Sequence, residues 1–161
     1  MALVSGSLAI VEEYDPTSDV WTTRAPMPSP RQYLAAATQT GKLYAIGGFG
    51  GQSSSAVDQY EPAVDTWSTM APMSTGRYGH ACAVVNGRIY VMGGEGGRNA
   101  LDEFQPWAAL APMLTERYFL TAAAVELGSG KVYAIGGTTG SALATNEEFV
   151  ASHARWDVAS R

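Results

Sequence analysis

The sequence predicts an all-β protein built from repeated four-stranded antiparallel units, and three observations lead to this prediction. The 161 residues include 18 glycines, 8 prolines, 8 tyrosines and 4 tryptophans, a composition typical of many short strands joined by turns. Similar strings of residues recur along the chain at intervals of about 45 residues. No window holds apolar residues at helical spacing over a length that would predict a helix.

Three strings recur in a fixed order and define the repeat. The first ends in an aromatic residue, and its copies are at Tyr14, Tyr60, Phe104 and Phe149. The second is an apolar strand that ends in two glycines, at Gly47-Gly48, Gly93-Gly94 and Gly136-Gly137. The third is Ala-Pro-Met, which is followed after a fixed interval by Arg31, Arg77 or Arg117. A tryptophan follows each aromatic residue, and the closer spacing of Trp107 indicates a loss of four residues from the turn between Pro106 and Trp107.

Each full unit divides into four short strands. In the first full unit, glycine or proline separates the apolar segments 34–38, 42–46, 56–60 and 66–70. Four such strands form an antiparallel meander, which is marginally stable alone and is stabilised when copies stack face to face. Units of this kind favour the blades of a β-propeller. The predicted boundaries are a half blade at 1–27 and full blades at 28–73, 74–113 and 114–161.

The sizes of the side chains predict which strand of a blade is innermost. The segment after each repeat arginine consists of small residues, such as Ala35-Ala36-Ala37 and Ala81-Cys82-Ala83. Blades crowd together near the axis of a propeller, so its innermost strands need small side chains. The bulky tryptophans Trp21, Trp67 and Trp156 fall in the last strand, where neighbouring blades are farther apart.

The strings resemble the kelch repeat, whose marks are a hydrophobic strand ending in Gly-Gly, an aromatic residue and a later tryptophan. The resemblance covers essentially the whole chain and implies a β-propeller with strands a to d running outward from the axis. It implies structural roles for Gly47, Gly48, Tyr60, Trp67, Gly93, Gly94, Phe104, Trp107, Gly136, Gly137, Phe149 and Trp156. The pairs Trp156-Asp157 and Gly79-His80 imitate another propeller repeat, WD40, but each occurs once and neither is in register with the other strings.

One half blade and three full blades make an arc, because a kelch-type ring of about six blades would need more strands than the fourteen predicted here. An open arc leaves unpaired strand edges and exposed apolar faces. We therefore expect a fragment of a longer propeller, a distorted small ring, or self-association through the open blade edges.

Composition excludes several kinds of chemistry. The net charge of −5 argues against a nucleic-acid partner, and one cysteine excludes an internal disulfide or a multi-cysteine zinc site. The sequence contains no complete nucleotide-binding motif and no nucleophile motif. We therefore expect no catalytic residue, no metal and no cofactor. No apolar run is long enough for a membrane span, and the start lacks the features of a signal peptide. These features favour a cytoplasmic protein and leave a secreted parent protein open.

Several residues that could carry chemistry have simpler interpretations. The carboxylate pairs at 12–13, 102–103 and 147–148 recur in one strand, where adjacent residues face opposite sides, which favours a structural role. Cys82 shares its repeat position with Ala36 and Ala122 and is expected to be a small buried residue. His80 shares its position with leucines, which favours packing or hydrogen bonding over a role at the mouth of the channel.

The candidate binding residues lie in the loops where the repeats differ. The loops between strands b and c and those that lead into strand a emerge on one face of a meander. Arginines interleaved with tyrosines there suit recognition of a peptide or a carboxylate. The predicted partner-binding residues are Arg31, Tyr33, Phe49, Arg77, Tyr78, Arg98, Asn99, Arg117 and Tyr118. The alternative for the three repeat arginines is that they bond to the backbone or carboxylates of their own blade.

Two functions from different classes follow. The first is a non-catalytic interaction module that binds a protein or peptide through these loops, by analogy with the fold. The second is a carbohydrate-binding or carbohydrate-active propeller, similar to the kelch-like sugar epimerases and sugar oxidases. The second would need arginine, glutamate and histidine side chains that converge on a pocket at the axis.

Overall fold

The computed structural model describes residues 6–104, 107–126 and 130–159, and within them every regular element is a β-strand. None of the described residues forms a helix of the length and hydropathy needed to cross a membrane. The strands are β1 (Val11–Asp15), β2 (Val20–Arg24), β3 (Ala35–Gln39), β4 (Lys42–Ile46), β5 (Val57–Glu61), β6 (Thr66–Thr69), β7 (Ala81–Val85), β8 (Arg88–Met92), β9 (Leu101–Glu103), β10 (Ala108–Ala109), β11 (Thr121–Val125), β12 (Lys131–Ile135), β13 (Asn146–Val150) and β14 (Arg155–Val158).

The strands form four antiparallel sheets, which we call blades 1 to 4. Blade 1 is the pair β1–β2, and blades 2, 3 and 4 are the meanders β3–β6, β7–β10 and β11–β14. This arrangement confirms the predicted fold class, a half blade followed by three full blades in a ring that does not close. The exact boundaries between blades, given above as 1–27, 28–73, 74–113 and 114–161, stay a prediction.

The first strands of blades 2, 3 and 4 lie side by side and form the inner wall of the arc. Their small side chains allow this close approach, and the Cys82 thiol on β7 donates to the carbonyl of Ala36 on β3 at 3.0 Å. The order of side-chain sizes therefore predicts the inner strands correctly.

The hydrophobic core lies between the blades. One cluster joins blades 2 and 3, and it includes Tyr44 and Phe104. A second cluster joins blades 3 and 4 and includes Tyr90 and Phe149. Strand β8 of the central blade contributes to both, because its alternate residues face opposite blades. Stacking of repeats thus buries the faces that a single meander would expose.

Backbone and tryptophan hydrogen bonds fix one blade against the next. Gly48 donates its N–H to the carbonyl of Arg77 in the following blade at 2.9 Å. A side chain at the neighbouring Gly47 would come within 2.7 Å of that carbonyl, so the close approach requires glycine. The indole N–H of Trp67, Trp107 and Trp156 donates at 2.8 Å to the carbonyl of Ala25, Ala71 and Ala111, respectively.

Trp107 makes the same interblade hydrogen bond as the other tryptophans despite its closer spacing to Phe104. The predicted loss of four residues between Pro106 and Trp107 falls at the edge of the gap formed by Gln105 and Pro106, which lie outside the described residues.

Apolar side chains are exposed at both ends of the arc. In blade 1, Tyr14 is 43% exposed and Trp21 is 66% exposed, whereas the equivalent Tyr60 and Trp156 are 4% and 6% exposed. At the other end, Val158 of blade 4 is also exposed. The end blades therefore present the kind of surface that the inner blades bury.

Candidate functional site

An aromatic cluster lies on the face where the loops into strand a and the loops after strand b emerge. We call it the aromatic patch; its rings are Tyr33, Phe49, Tyr78, Tyr118 and Phe119. Four of the five were predicted from the sequence as partner-binding residues. The structure brings these four together from three successive blades, and Phe119 joins them.

The rings of the aromatic patch are in mutual contact. The centroid of Tyr78 lies 5.2 Å from that of Phe49, 6.1 Å from that of Tyr33 and 6.4 Å from that of Phe119. Tyr33 and Phe119 contact each other across the central blade with centroids 5.6 Å apart. Tilted and edge-on contacts at these distances are favourable for aromatic pairs. Nonetheless Tyr33 remains 53% and Phe119 51% exposed, so about half of each of these two residues is accessible to solvent.

The two most exposed rings stand on strained backbone. Tyr33 has φ of 56° and Phe119 has φ of 51°, a left-handed conformation that bulky residues rarely adopt. The equivalent residue of the central blade is Gly79, with φ of 60°. A side chain at Gly79 would lie 2.6 Å from the Phe119 ring, so the glycine leaves room for that ring from the neighbouring blade. Strain of this kind persists where surrounding structure enforces it, and it is concentrated at functional sites.

Hydrogen bonds between blades enforce this strained conformation. The N–H of Gly79 donates to the carbonyl of Tyr33 at 2.9 Å, and the N–H of Phe119 donates to the carbonyl of Gly79 at 2.6 Å. Backbone hydrogen bonds therefore link Tyr33, Gly79 and Phe119 in series across the three blades. The rings they surround are held at fixed spacing, which lowers the entropy cost of binding a ligand.

Arg98 and Asn99 lie at the edge of the patch, in the loop that precedes β9. The Arg98 guanidinium donates to both carboxylate oxygens of Glu95 at 3.0 and 3.1 Å, and its central carbon lies 5.4 Å from the centroid of Tyr118. Asn99 is exposed, and its backbone carbonyl accepts the N–H of Met113. Arg98 is thus held over an aromatic ring and keeps part of its side chain in solvent.

The three repeat arginines do not belong to this surface, which corrects their place among the predicted partner-binding residues. Arg31, Arg77 and Arg117 are 3%, 1% and 0% exposed. Their guanidinium groups pair with the carboxylates of Asp58, Asp102 and Glu147 on the third strand of the same blade. Pairing with a carboxylate offsets part of the cost of burying each guanidinium, and Arg31 and Arg117 also donate to carbonyl oxygens of their own blades.

The carboxylate pairs of the third strands are separated by their faces. Asp102 turns inward to Arg77, whereas Glu103 pairs with Arg88 on the other face of the sheet. Glu147 likewise pairs with Arg117, and Glu148 binds Lys131 at 2.8 Å. The two carboxylates of a pair do not converge on a common substrate position.

A groove of about 430 Å³ adjoins the patch on blade 2. Gly50, which follows Phe49, lines it together with the serines at positions 29, 53, 54 and 55. Hydroxyl groups beside exposed rings can donate to and accept from a peptide backbone.

His80 lies in the interior, and Cys82 is half-buried. His80 is 5% exposed, and its ring nitrogens have no hydrogen-bond partner among the described residues. Burial, together with the neighbouring Arg77 charge, lowers the pKa of His80 to about 4. Burial raises the pKa of the Cys82 thiol to about 12, which disfavours the reactive thiolate. Within the ranges that the structure describes, no three His, Cys, Asp or Glu side chains gather as metal ligands.

Phe119 is the residue of the patch that the sequence analysis missed. It follows Tyr118 directly, in the repeat position that carries glycine in the central blade. A bulky residue aligned with a left-handed glycine was the available signal, because such a position imposes backbone strain.

Comparison with known proteins agrees with the repeat described above. Residues 30–74 and 76–105 match the family model described as Kelch motif. Kelch-like protein 1 of Mus musculus is 44% identical over 46 residues, which cover 29% of this chain and 6% of that protein. Kelch-like protein 4 of Homo sapiens is 44% identical over 43 residues, which cover 27% of this chain and 6% of that protein. The matched segments thus span a small part of each relative.

Proposed function

We propose that this chain, in which residues 30–74 and 76–105 match the family model described as Kelch motif, is a non-catalytic interaction module. It binds a protein or peptide through the aromatic patch. Arg98 and Asn99 at its edge and the serine-lined groove beside it supply polar contacts to the same partner. Rigid aromatic rings supply a large contact area at little entropy cost, and arginine beside them is enriched at binding hot spots.

The single observation that carries this proposal is the strained and exposed pair Tyr33 and Phe119. Both rings hold a left-handed backbone although glycine fits the same position in blade 3. Neither ring is buried enough for packing within the fold to explain the strain. Binding through the ring faces gives the strain a function.

The carbohydrate alternative gains no support from the geometry. It calls for arginine, glutamate and histidine groups converging on a pocket at the axis. Arg77 and Arg117 are instead committed to acids within their own blades, and His80 is buried between blades. The groove on blade 2 is lined mainly by serine, proline and glycine, with Arg31 already paired to Asp58.

Selection from a phage library of random linear peptides tests the proposal. The chain is the bait, and the double variant Tyr33→Gly, Phe119→Gly is used in parallel. We expect peptides that bind the parent chain and lose binding to the double variant. Glycine is compatible with both backbone conformations, so the variant should stay folded.

A matched control removes an exposed apolar side chain at the opposite end of a blade. Val64 lies in the turn between β5 and β6 and is 64% exposed. Val64→Ser should bind the selected peptides as the parent chain does. Peptides that bind the double variant and the parent equally would place the binding surface elsewhere.

A further inference from the structure

The tyrosine hydroxyls of the aromatic patch differ from the others in the chain. No described residue forms a hydrogen bond with the hydroxyl of Tyr33, Tyr78 or Tyr118. The five tyrosines outside the patch each have a side-chain partner: Tyr14 with Asp19, Tyr44 with Gln59, Tyr60 with Asp65, Tyr90 with Glu103 and Tyr133 with Glu148. The patch therefore offers three O–H groups that can donate to a ligand.

The backbone beneath the rings is already hydrogen-bonded. Pairs of residues from neighbouring loops exchange two backbone hydrogen bonds each: Gln32 with Phe49, Tyr78 with Glu95, and Tyr118 with Thr138. The N–H groups of Gly79 and Phe119 are used in the bonds between blades. The ring-bearing residues therefore offer no open strand edge, and a peptide does not bind to them by strand addition.

Charge does not select the ligand of the patch either. Arg98, the charged side chain that lies over the ring of Tyr118, is paired through both of its donating nitrogens with Glu95. A charged ligand group would have to break this pair or lose its hydration against rings that cannot replace it. The rings therefore favour an uncharged segment that accepts hydrogen bonds.

A polyproline II helix is a peptide conformation that meets these requirements. Its carbonyl oxygens have no internal partner and can accept from tyrosine hydroxyls, whereas an α-helix uses its carbonyl oxygens within itself. Proline adds an apolar ring and has no N–H that would need an acceptor. From Phe49 through Tyr78 and Phe119 to Tyr118, successive ring centroids lie 5.1 to 6.4 Å apart. This spacing is close to the rise of about 6 Å over two residues of a polyproline II helix.

We propose that the segment bound by the aromatic patch is proline-rich and adopts the polyproline II conformation. Its proline rings pack on the exposed parts of Tyr33 and Phe119, and its carbonyl oxygens accept from the hydroxyls of Tyr33, Tyr78 and Tyr118. Such a segment is extended before it binds, so little conformational entropy is lost on a surface that is itself held rigid. This inference rests on the proposed function, because it names the class of peptide that the patch selects.

The peptides selected from the random linear library provide the first test. Among those that lose binding to the double variant Tyr33→Gly, Phe119→Gly, we expect proline to be enriched over the starting library, with repeated prolines in most sequences. Peptides that depend on the patch without proline enrichment would overturn this inference and leave the proposed function standing. If no selected peptide depended on the patch, the proposed function itself would fail.

The second experiment compares two synthetic peptides of nine prolines. One contains L-proline throughout, and the other alternates L- and D-proline, so it has the same composition but does not form the polyproline II helix. In titrations followed by NMR, we expect saturable binding of the first peptide and binding of the second that is at least about tenfold weaker. Equal binding of both peptides, or no saturation by the first, would contradict the proposal.

The third experiment removes a hydroxyl and keeps its ring. Tyr78→Phe should bind the all-L peptide about fivefold more weakly, because one hydrogen bond to the ligand is lost. Its stability should match that of the parent chain, since this hydroxyl has no partner among the described residues. Tyr14→Phe is the matched control, because Tyr14 lies in blade 1 outside the patch, and its affinity for the peptide should be unchanged. Parent-like affinity in Tyr33→Phe, Tyr78→Phe and Tyr118→Phe alike would show that the hydroxyls do not bind the ligand and would overturn the proposal.

Discussion

The N–H of Phe119 donates a hydrogen bond of 2.6 Å to the carbonyl of Gly79, across the boundary between blades 3 and 4. The ring of Phe119 lies over the same glycine, where a side chain would come within 2.6 Å of it. One contact therefore fixes the strained backbone, and the absence of a side chain leaves room for the ring. The aromatic patch depends on this complementarity between equivalent residues of successive repeats.

Phe119→Gly should raise the free energy of unfolding. The substitution relieves a left-handed conformation that costs about 1–3 kcal/mol for a residue with a side chain. It also removes a ring that is half exposed and contributes modest packing. We expect a net gain of about 1 kcal/mol after the entropy cost of glycine, measured by denaturant unfolding.

Phe104→Gly is the matched control for that substitution, because Phe104 is 2% exposed and belongs to a core cluster. It should destabilise the chain by about 3–5 kcal/mol. A loss of stability in Phe119→Gly as large as that in Phe104→Gly would show that Phe119 is a core residue and not a strained surface residue.

Arg77→Ala and Arg98→Ala should differ sharply in stability. Arg77 is buried beside Asp102, so its removal leaves an uncompensated buried carboxylate and should cost about 3–5 kcal/mol. Arg98 pairs with Glu95 in partial contact with solvent, so its removal should cost less than about 0.5 kcal/mol. Thermal unfolding of both variants measures the difference, and equal losses would refute the separation of interior and surface arginines.

His80 should make stability depend on pH in the acid range. Its pKa is about 4 in the folded chain against an ordinary value of 6.5, so the unfolded chain binds the proton more readily. Stability from this group is fully present above pH 6.5 and is lost as the pH falls toward 4. The full loss in the free energy of unfolding is about 3 kcal/mol.

His80→Leu is the control for that pH dependence, because Leu34 and Leu120 occupy the equivalent position in blades 2 and 4. Unfolding free energies of the parent and the variant, compared between pH 7 and pH 4, should diverge in favour of the variant as the pH falls. Parallel pH profiles would mean that His80 titrates alike in the folded and unfolded chains.

Strand β14 should exchange its amide hydrogens faster than β8. β14 is the outer strand of the last blade, and its Val158 is 71% exposed, whereas β8 lies inside the central sheet with both faces buried. Local opening is easiest where few apolar contacts hold a strand. Hydrogen exchange followed by NMR should show less protection at Asp157, whose amide faces β13, than at Val91, and equal protection at these residues would contradict the expectation.

The fold could be predicted from the sequence because the repeat places a constraint on every blade at once. Aligned copies of Gly47 and Tyr60 identify the end of strand b and the position of strand c, and the small residue Ala36 identifies the innermost strand. Because these positions agree across three units, they predict a single arrangement of strands for every full blade.

The candidate site was predictable only in part. Tyr33 and Tyr78 were selected because they lie in variable loops, and the structure places them in one patch. Arg31 shares that loop but turns inward, because its partner Asp58 lies on a strand 27 residues later, and nothing local reveals that pairing. The left-handed backbone at Phe119 likewise depends on a hydrogen bond to a different blade.

The affinity of one selected peptide for Tyr78→Ala and Arg98→Ala, measured by calorimetry against the parent chain, tests the proposed function most directly. Tyr78 is central in the aromatic patch and Arg98 lies at its edge. We expect Tyr78→Ala to weaken binding about 30-fold and Arg98→Ala to weaken it to a similar or smaller extent, with Val64→Ser unchanged. Unchanged affinity in both Tyr78→Ala and Arg98→Ala would contradict binding through this face.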